Sequence, residues 1–399
     1  MKGGKMNKKV IVSGVTGMDG SLMSKYLLSN TDYLIMGGIR RLSVPNHQNI
    51  SDIVDNPRFK LVPFDLSDPH CVESLIFSEK PDYFINFAAN SFVGNSWDMP
   101  AQHFTVNSLG VLHILEAIRK HSPLTRIYNA GSSEEWGNVD YTPQDIKHPM
   151  KPRSPYGAAK CAAHLLMKVY RESYGLYCVQ GVLTNHEGVA RGEEFVTRKI
   201  TKGVARIYHA IKNGLKFDPI QLGNLDSKRD WSDAEDFMDG IWRMLNQENY
   251  REDLKIKMDK WCKDNPYIPG FLQLEHYDKT CQDEIVIPNL KEYVLSSQEC
   301  HSVHEFVELA FDTANIDGLW VGSEENKKYR LYRNCDDKRP PYDLGEALVE
   351  VNPKFYRPAE VDLLMGDSSP ARQELGWLPK TSFPQLVKKM VKHDINLYP

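Results

Sequence analysis

The sequence lacks the features of a membrane, disulfide-bonded or zinc-binding protein. No apolar run reaches the ~20 residues that cross a bilayer, and the short apolar stretch after the basic N-terminal segment is broken by Gly14, unlike a signal peptide. The 7 cysteines are scattered without CxxC or Cys/His spacing, which argues against a disulfide framework or a zinc site. We therefore expect a cytoplasmic protein with reduced thiols and no bound metal.

An excess of positive charge is also missing. The chain carries 49 Lys and Arg against 53 Asp and Glu, a formal net charge of -4, which argues against a general nucleic-acid or anionic-membrane binder. Hydrophobic residues make up 41% and charged residues 26% of the 399 residues, as in ordinary globular proteins. This length allows one large two-lobed unit or two to three domains, and the sequence contains no internal repeat and no low-complexity tract.

Short apolar runs alternate with helical patterns through the first half of the chain. The runs are Val10–Ser13, Tyr33–Ile39, Phe59–Phe64, Tyr83–Phe87, Arg126–Ala130 and Cys178–Thr184. The helical patterns cover Ser21–Ser29, Val72–Ser78, Leu109–Lys120 and Ala158–Tyr174. This alternation predicts an α/β fold, a Rossmann-type doubly wound parallel sheet that binds ligands at the carboxyl ends of its strands.

The pattern loosens after Thr184, which predicts a smaller mixed α/β lobe that binds substrate. We place the dinucleotide-binding domain at 7–185, with 222–246 and about 291–297 returning to it. The substrate lobe is 186–399, mainly 186–221 and 298–399, and 248–288 is an insertion rich in Lys, Asp, Trp and Tyr. Long insertions usually lie at the surface, and the sequence does not assign a role to this one.

A glycine-rich turn joins the first strand to the first helix. Gly14, Gly17 and Gly20 have GxxGxxG spacing, which lets the backbone turn tightly and approach a pyrophosphate at the helix N-terminus. The alternative is an ordinary strand-to-helix turn. Its place in an alternating β/α chain favours dinucleotide binding.

The end of the second strand indicates the cofactor. NAD-binding folds usually carry an acid there for the ribose hydroxyls, whereas this strand ends in Arg40 and Arg41. Guanidinium groups pair with a 2′-phosphate, so we predict NADP; the alternative is a solvated surface pair. Asp65 and Leu66, after the third strand, are expected to bracket the adenine.

A tyrosine and a lysine share one face of the helix that begins at Ser154 and Pro155. Tyr156 and Lys160 are i and i+4. A tyrosine is a poor base at neutral pH, but an adjacent ammonium and a nicotinamide cation favour its phenolate. The alternative is a packing tyrosine beside a solvated lysine. The glycine turn upstream favours a catalytic pair.

These motifs resemble the extended short-chain dehydrogenase/reductase family, and longer blocks narrow the resemblance to GDP-mannose 4,6-dehydratases. It extends over about four-fifths of the chain. The blocks are Thr184-Asn-His-Glu187, Arg191–Lys199, Leu222–Trp231, Arg357–Asp362 and Leu375–Pro379.

The resemblance implies a redox-neutral dehydration of a GDP-sugar with NADP. It implies Ser132, Glu134, Tyr156 and Lys160 as catalytic residues. Beyond the residues above, it implies cofactor contacts from Thr16, Met18, Asp19, Phe87, Ala88, Ala89, Ser91, His186 and Arg191. It implies substrate contacts from Ser91, Asn185, Val196, Lys199, Gly223, Arg229, Arg357 and Glu360. The three cations suit a diphosphate, and Glu360 suits a ribose hydroxyl.

The loop Gly131–Gly137, GSSEEWG, carries two adjacent glutamates. The family pattern Ser-Thr-Ser-Glu-Leu-Tyr-Gly aligns Ser132 with the threonine and Glu134 with the glutamate, and it places Glu135 at the leucine. We expect Glu134 to be the acid/base of the elimination. Glu135 is then a solvated charge or a salt-bridge partner. Trp136 replaces a tyrosine and is expected to reshape the sugar pocket.

Three other interpretations stay open at this stage. One is the same chemistry on GDP-D-glycero-D-manno-heptose, another a nucleotide-sugar epimerase or 4-keto reductase, and the third an NADP-sensing regulatory protein, which would normally lose Tyr156, Lys160 or the site glutamate. The resemblance also implies a homo-oligomer, a dimer or tetramer, in which the loop after Arg41 reaches a neighbouring subunit. This loop matches the family poorly here.

Overall fold

The computed structural model describes residues 7–41, 43, 46–247, 290–323, 326–333, 343–356 and 363–397. The predicted insertion at 248–288 and the predicted substrate residues Arg357 and Glu360 lie outside the described residues.

The described strands form one large sheet and three small ones. Their bounds are β1 Lys9–Ser13, β2 Leu34–Ile39, β3 Phe59–Pro63, β4 Tyr83–Asn86, β5 Arg126–Ala130, β6 Cys178–Leu183, β7 Asn185–Glu187, β8 Ile220–Leu222, β9 Lys228–Arg229, β10 Trp231–Asp233, β11 Val294–Leu295, β12 His301–Ser302, β13 Gly318–Val321, β14 Lys328–Arg333, β15 Asp343–Val351 and β16 Leu363–Leu364.

The helices alternate with these strands in the first half of the chain. Their bounds are α1 Met18–Asn30, α2 Pro69–Glu79, α3 Pro100–Phe104, α4 Gly110–His121, α5 Pro155–Tyr174, α6 Val196–Lys212, α7 Ala234–Met244, α8 Val303–Thr313, α9 Ser369–Glu374 and α10 Phe383–Leu397. A π-helical turn, Thr105–Leu109, joins α3 to α4. Single 3-10 turns cover Gln48–Ile50, Val93–Ser96, Ser133–Glu135 and Pro353–Phe355.

The large sheet has the strand order β11-β6-β5-β4-β1-β2-β3, and its strands pair in parallel. Its two faces pack in separate clusters because successive strand residues point to opposite sides. Val10 lies in the cluster that holds Met23 of α1, and the next residue, Ile11, lies in the cluster that holds Ile114 of α4 and Met167 of α5. Burial on both faces explains the continuous apolar runs. The prediction of a doubly wound Rossmann-type sheet is confirmed.

The later part of the chain builds a smaller mixed α/β region. The four-stranded sheet β13-β14-β15-β8 and the three-stranded sheet β12-β9-β16 lie here. α6, α8 and α10 pack together in one cluster through Ile200, Phe306 and Leu386. β11, by contrast, pairs with β6 of the large sheet. The division of the lobes at 185/186 stays a prediction.

The chain leaves the described fold after Gln247 and resumes at Leu290, and the two ends lie side by side. The Gln247 side chain donates to the Lys291 carbonyl at 2.8 Å and accepts from the Lys291 N–H at 3.1 Å. This pairing places Glu292, the next residue, beside the large sheet, where its carboxylate accepts from the Gln180 N–H at 3.2 Å.

Candidate active site

The loop after β5 separates its two adjacent glutamates. Ser132 caps the 3-10 turn Ser133–Glu135, and its hydroxyl accepts from the Glu134 N–H at 3.3 Å. Glu134 is half-buried on this turn, whereas the Glu135 side chain is 1% exposed and its Oε2 lies 2.7 Å from His164 Nδ1. Of the two alternatives for Glu135, the solvated charge is wrong and the salt-bridge partner is correct.

α5 brings a tyrosine and a lysine to this loop. The helix begins at a Ser154 cap, which accepts from the Gly157 N–H at 3.0 Å. Lys160 Nζ donates to the Ala130 carbonyl at 2.8 Å, so it ties the helix to the end of β5. The Tyr156 hydroxyl, on a residue that is 7% exposed, hydrogen-bonds with Ser132. Ser132 and Tyr156 are therefore directly connected, and Lys160 Nζ lies 5.8 Å from the centre of the Tyr156 ring.

Burial dominates the electrostatics of this group. It raises the pKa of Tyr156, and the charges of Glu134 and Glu135 raise it further, although the Ser132 hydrogen bond and Arg191 lower it. Burial also lowers the pKa of Lys160 to about 8. Lys160 and the nicotinamide cation were expected together to favour the Tyr156 phenolate; burial is the largest influence on the pKa of Tyr156 in the protein, and their combined effect stays a prediction.

The first cavity, which we call the glycine-loop cavity, has a volume of about 510 Å³. Gly14 has φ +68°, and a Cβ there would lie 2.8 Å from Ala88 N. A Cβ on Gly20 would lie 2.3 Å from Gly14 O. Only glycine allows this close approach of backbone, which leaves the start of α1 open to a ligand.

Most of the predicted cofactor residues line this cavity. They are Gly14, Thr16, Gly17, Met18, Asp19, Gly20, Arg40, Asp65, Leu66, Phe87, Ala88, Ala89, Ser91 and Arg191. Arg41 is exposed and Tyr156 and Lys160 are buried, and none of these three is in that lining. Asn46 and Asn49 also line it and were not predicted; Asn49 donates to the Thr16 carbonyl at 2.9 Å.

His186 joins the site through Asp19 rather than through the lining. Its Nε2 lies 3.0 Å from Asp19 Oδ2. Burial alone would raise the pKa of Asp19, but the charge and hydrogen bond of His186 and the charge of Arg191 lower it overall. Burial lowers the pKa of His186, but the charge and hydrogen bond of Asp19 raise it overall. The charges of His186, Arg191 and Lys160 thus stabilise the ionised carboxylate of Asp19 in this lining.

The second cavity, which we call the second-lobe cavity, has a volume of about 460 Å³. The predicted substrate residues Asn185, Val196, Lys199, Gly223 and Arg229 line it, while Ser91 lines the glycine-loop cavity instead. Glu194 and Phe195 line both cavities, so the two are adjacent.

An aromatic wall of the second-lobe cavity was not predicted. It comprises Phe92, Trp97, Phe355 and Tyr356. Lys199 Nζ lies 3.5 Å from the centre of the Phe355 ring, and burial lowers the pKa of Lys199. Phe355 and Tyr356 directly precede the Arg357 block, and that position is the signal that sequence reasoning missed.

Trp136 does not shape either cavity. Its side chain is 2% exposed and packs in a cluster with Val182, Val294 and Leu364. The expectation that it reshapes the sugar pocket is wrong. The indole packs against β6 and β11, and the backbone after it folds back against Lys151, where Gly137 has φ +56°.

The described residues provide neither a metal site nor a membrane-spanning helix. No group of three or more His, Cys, Asp or Glu side chains is placed there to hold a metal ion. No helix in that part of the chain is long and apolar enough to cross a membrane.

The parallel sheet, the glycine turn, the hydrogen-bonded Ser132 and Tyr156 and the nearby Lys160 define an extended short-chain dehydrogenase/reductase. Solved structures agree on the fold: a dTDP-glucose 4,6-dehydratase from Bacillus anthracis in complex with NAD superposes with a TM-score of 0.67 at 17% identity, covering 97% of this chain and 96% of that one.

Sequence comparisons assign the chain to one family within the extended short-chain dehydrogenase/reductases. The family model for GDP-mannose 4,6 dehydratase matches residues 11–262 and 279–390. A GDP-mannose 4,6 dehydratase from Drosophila melanogaster is 36% identical over 404 residues, covering 99% of this chain and 88% of the relative. One from Vibrio cholerae is 34% identical, covering 98% and 95%. The chain belongs to the GDP-mannose 4,6-dehydratase family.

Proposed function

We propose that this protein converts GDP-D-mannose to GDP-4-keto-6-deoxy-D-mannose in an NADP-dependent, redox-neutral dehydration. The observation that carries the proposal is the turn after β5. It presents Glu134 beside the hydrogen-bonded Ser132 and Tyr156, with Lys160 tied to the Ala130 carbonyl at the start of the same loop, so a carboxylate is added to a dehydrogenase triad. A simple dehydrogenase has no use for that carboxylate.

NADP fits the glycine-loop cavity. The close backbone at Gly14 and Gly20 suits a pyrophosphate, and Arg40 at the end of β2 suits a 2′-phosphate. Bound NADP would supply the acceptor for the hydride of sugar C4 and its donor to C6, and the positive charge of the oxidised cofactor would favour the Tyr156 phenolate. Lys160, whose Nζ lies 5.8 Å from the centre of the Tyr156 ring, would hold the tyrosine and a ribose hydroxyl.

Each of this chain's catalytic residues has one proposed task. Tyr156 removes the proton of the C4 hydroxyl, while Ser132 hydrogen-bonds the same oxygen. The 4-ketone that results acidifies the C5 proton. Glu134 removes that proton and then gives it to the departing C6 hydroxyl, which leaves as water, so one carboxyl acts as base and then as acid. When the hydride returns to C6, C5 takes up one proton, which balances the proton that Tyr156 took from the C4 hydroxyl.

The second-lobe cavity supplies the groups that a nucleoside diphosphate needs. Lys199 and Arg229 are cations in its lining, and Asn185 adds an amide for a phosphate or sugar oxygen. The aromatic rings beside Lys199 suit a stacked base. We propose that Arg357 and Glu360, which follow this wall in sequence, complete the contacts to phosphate and ribose.

The test is incubation with GDP-mannose and catalytic NADP, followed by mass spectrometry of the nucleotide sugar. The expected product has lost one water, with no net NADPH formed. Unchanged GDP-mannose together with dehydration of GDP-D-glycero-D-manno-heptose would assign the same chemistry to that sugar. An epimer or a reduced sugar would overturn the proposal.

Arg40→Ala is expected to weaken NADP binding about 10–100-fold while leaving NAD binding within about twofold. The reason is that a charged hydrogen-bond pair to the 2′-phosphate contributes roughly 1.5–3 kcal/mol, and NAD lacks that phosphate. Titration calorimetry with both nucleotides measures the ratio. Arg41→Ala, at an exposed side chain outside the cavity lining, should change it less; an equal or larger effect would show that Arg41 holds the phosphate.

We further propose a homo-oligomer, a dimer or tetramer, that works in the cytoplasm. Exposed apolar side chains on α3 to α5 support assembly, with Leu165 54% and Val169 49% exposed one turn apart. Free thiols at the described cysteines support a reducing compartment. Sedimentation velocity of the full chain tests the assembly, and a single monomer peak at micromolar concentration would contradict it.

A further inference from the structure

A row of four buried charged side chains lies behind the catalytic loop. Glu135 Oε2 is 2.7 Å from His164 Nδ1, His164 Nε2 is 3.1 Å from Glu292 Oε2, and Glu292 Oε1 is 2.7 Å from Arg171 Nη1. None of the four side chains is more than 10% exposed. Burying four charges costs desolvation free energy, which only close pairing and hydrogen bonding of the charges can offset.

The row begins at the catalytic residues. His164 is one turn beyond Lys160 on α5, and Arg171 is two further turns along, so the three share a face of the helix. Glu135 closes the row at the loop, and Glu292 joins it from the segment just before β11. The face of α5 that presents the catalytic lysine therefore also holds the loop.

The other oxygen of Glu135 holds the backbone of the loop. Oε1 accepts from the Ser132 N–H at 2.8 Å and from Gln180 Nε2 at 3.0 Å. Gly131 leaves the room for this, because a Cβ there would lie 3.0 Å from the same oxygen. A movement of Glu135 would therefore displace Ser132, and with it the neighbouring Glu134.

The geometry also fixes the charge of His164. Each ring nitrogen faces a carboxylate, so both must donate, and only the imidazolium can do so. Burial by itself lowers the pKa of His164, but Glu135 and Glu292 raise it to about 10. The net charge of the row is then zero, because the carboxylates of Glu135 and Glu292 balance the cations of His164 and Arg171. Without the imidazolium, the charge of Glu135 would act unopposed on Tyr156, which it already reaches.

We propose that Glu135, paired with a protonated His164 and anchored by Glu292 and Arg171, is a positioning residue that holds Ser132 and Glu134 against Tyr156. The inference rests on the proposed function for the roles of those three residues. It assigns a task to the second glutamate of the loop and adds His164 to the residues on which the reaction depends.

The positioning role predicts the kinetics of Glu135→Gln. The amide cannot ion-pair with His164, so we expect the loop to loosen. Because small misplacements of reacting groups slow the chemical step more than they weaken binding, kcat is expected to fall about 10–100-fold while KM stays within about threefold. Glu73→Gln is the matched control, because Glu73 of α2 pairs with His121 of α4 at 2.8 Å, close to the 2.7 Å between Glu135 and His164. It should leave kcat unchanged.

The pH dependence of the NADP reduction rate distinguishes whether His164 compensates the charge of Glu135 or only packs against it. In single-turnover reduction of NADP, the rate should rise with the ionisation of Tyr156. His164→Gln leaves Glu135 unpaired and should move that midpoint to higher pH by roughly 0.5–1 unit, and Glu135→Gln/His164→Gln should move it back. The other titratable groups that interact with Glu135 or His164 are Tyr128, Lys160, Cys161 and Glu292, and Arg171 and Cys178 lie beside Glu292.

The third readout needs neither substrate nor cofactor. In the unmodified protein, histidine-labelled NMR at pH 8 should show both ring nitrogens of His164 protonated, and the signal should be absent in His164→Gln. A neutral His164 ring, or midpoints that stay in place while rates fall equally at every pH, would overturn the proposal. Failure of the unmodified protein to reduce NADP with GDP-mannose would overturn the proposed function instead, and the NMR result would still decide the charge.

Discussion

Glu134→Gln is expected to lower the rate of dehydrated product about 10²–10⁴-fold, the usual contribution of a general acid/base, while the first oxidation proceeds near its normal rate. The amide cannot take the C5 proton or give it to the C6 hydroxyl. Tyr156, Ser132 and Lys160, which perform the oxidation, keep their contacts. Stopped-flow absorbance of NADPH should show a normal burst that does not decay, and mass spectrometry should find no dehydrated sugar.

The comparison variant is Glu135→Gln, its neighbour on the same turn. It is expected to slow oxidation and elimination together, because it moves the whole loop rather than removing the proton carrier. If Glu135→Gln blocked only the elimination and Glu134→Gln did not, the assignment of the two glutamates would be reversed.

The stability of the protein is expected to fall steeply between pH 6.5 and 10. The pKa of His164 is raised from 6.5 to about 10 in the folded state. A group with a raised folded pKa stabilises fully below its unfolded pKa, and that stabilisation is lost as the pH rises through the folded value. For a side chain this buried, the loss is about 3–5 kcal/mol in the free energy of unfolding.

Urea unfolding across this pH range measures the effect. Glu135→Leu/His164→Leu is the reference, because replacing a buried ion pair by apolar residues is often neutral, and its stability should vary less from pH 6.5 to 10. Parallel curves for both proteins would contradict a charged His164.

Glu292 acts at low pH. Its pKa is lowered to about 2 by His164 and Arg171 despite burial, so it stabilises the fold above its unfolded pKa, and that stabilisation is lost as the pH falls below 4.5.

Local sequence patterns predicted much of the site. The glycines at 14, 17 and 20 and the Tyr156 and Lys160 pair are close in sequence, so their spacing fixes their geometry once the strand and helix are recognised. The alternation of apolar runs predicted the sheet for the same reason. These features depend on contacts within a few residues.

The environment of Glu135 could not be predicted in this way. Its partner His164 is 29 residues away, and Glu292 is a further 128. Neither pairing follows from spacing along one element. The same is true of Trp136, whose burial depends on β6 and β11, and of the aromatic wall at Phe355. Tertiary packing decides whether such residues face a cavity, a core or solvent.

The most direct test of the account follows a label through the reaction. GDP-mannose carrying deuterium at C4 should give a dehydrated product with the deuterium at C6, because the hydride that leaves C4 returns to the same sugar. Excess unlabelled NADPH in solution should not dilute it. Deuterium recovered in free NADPH, with none at C6, would contradict a redox-neutral dehydratase.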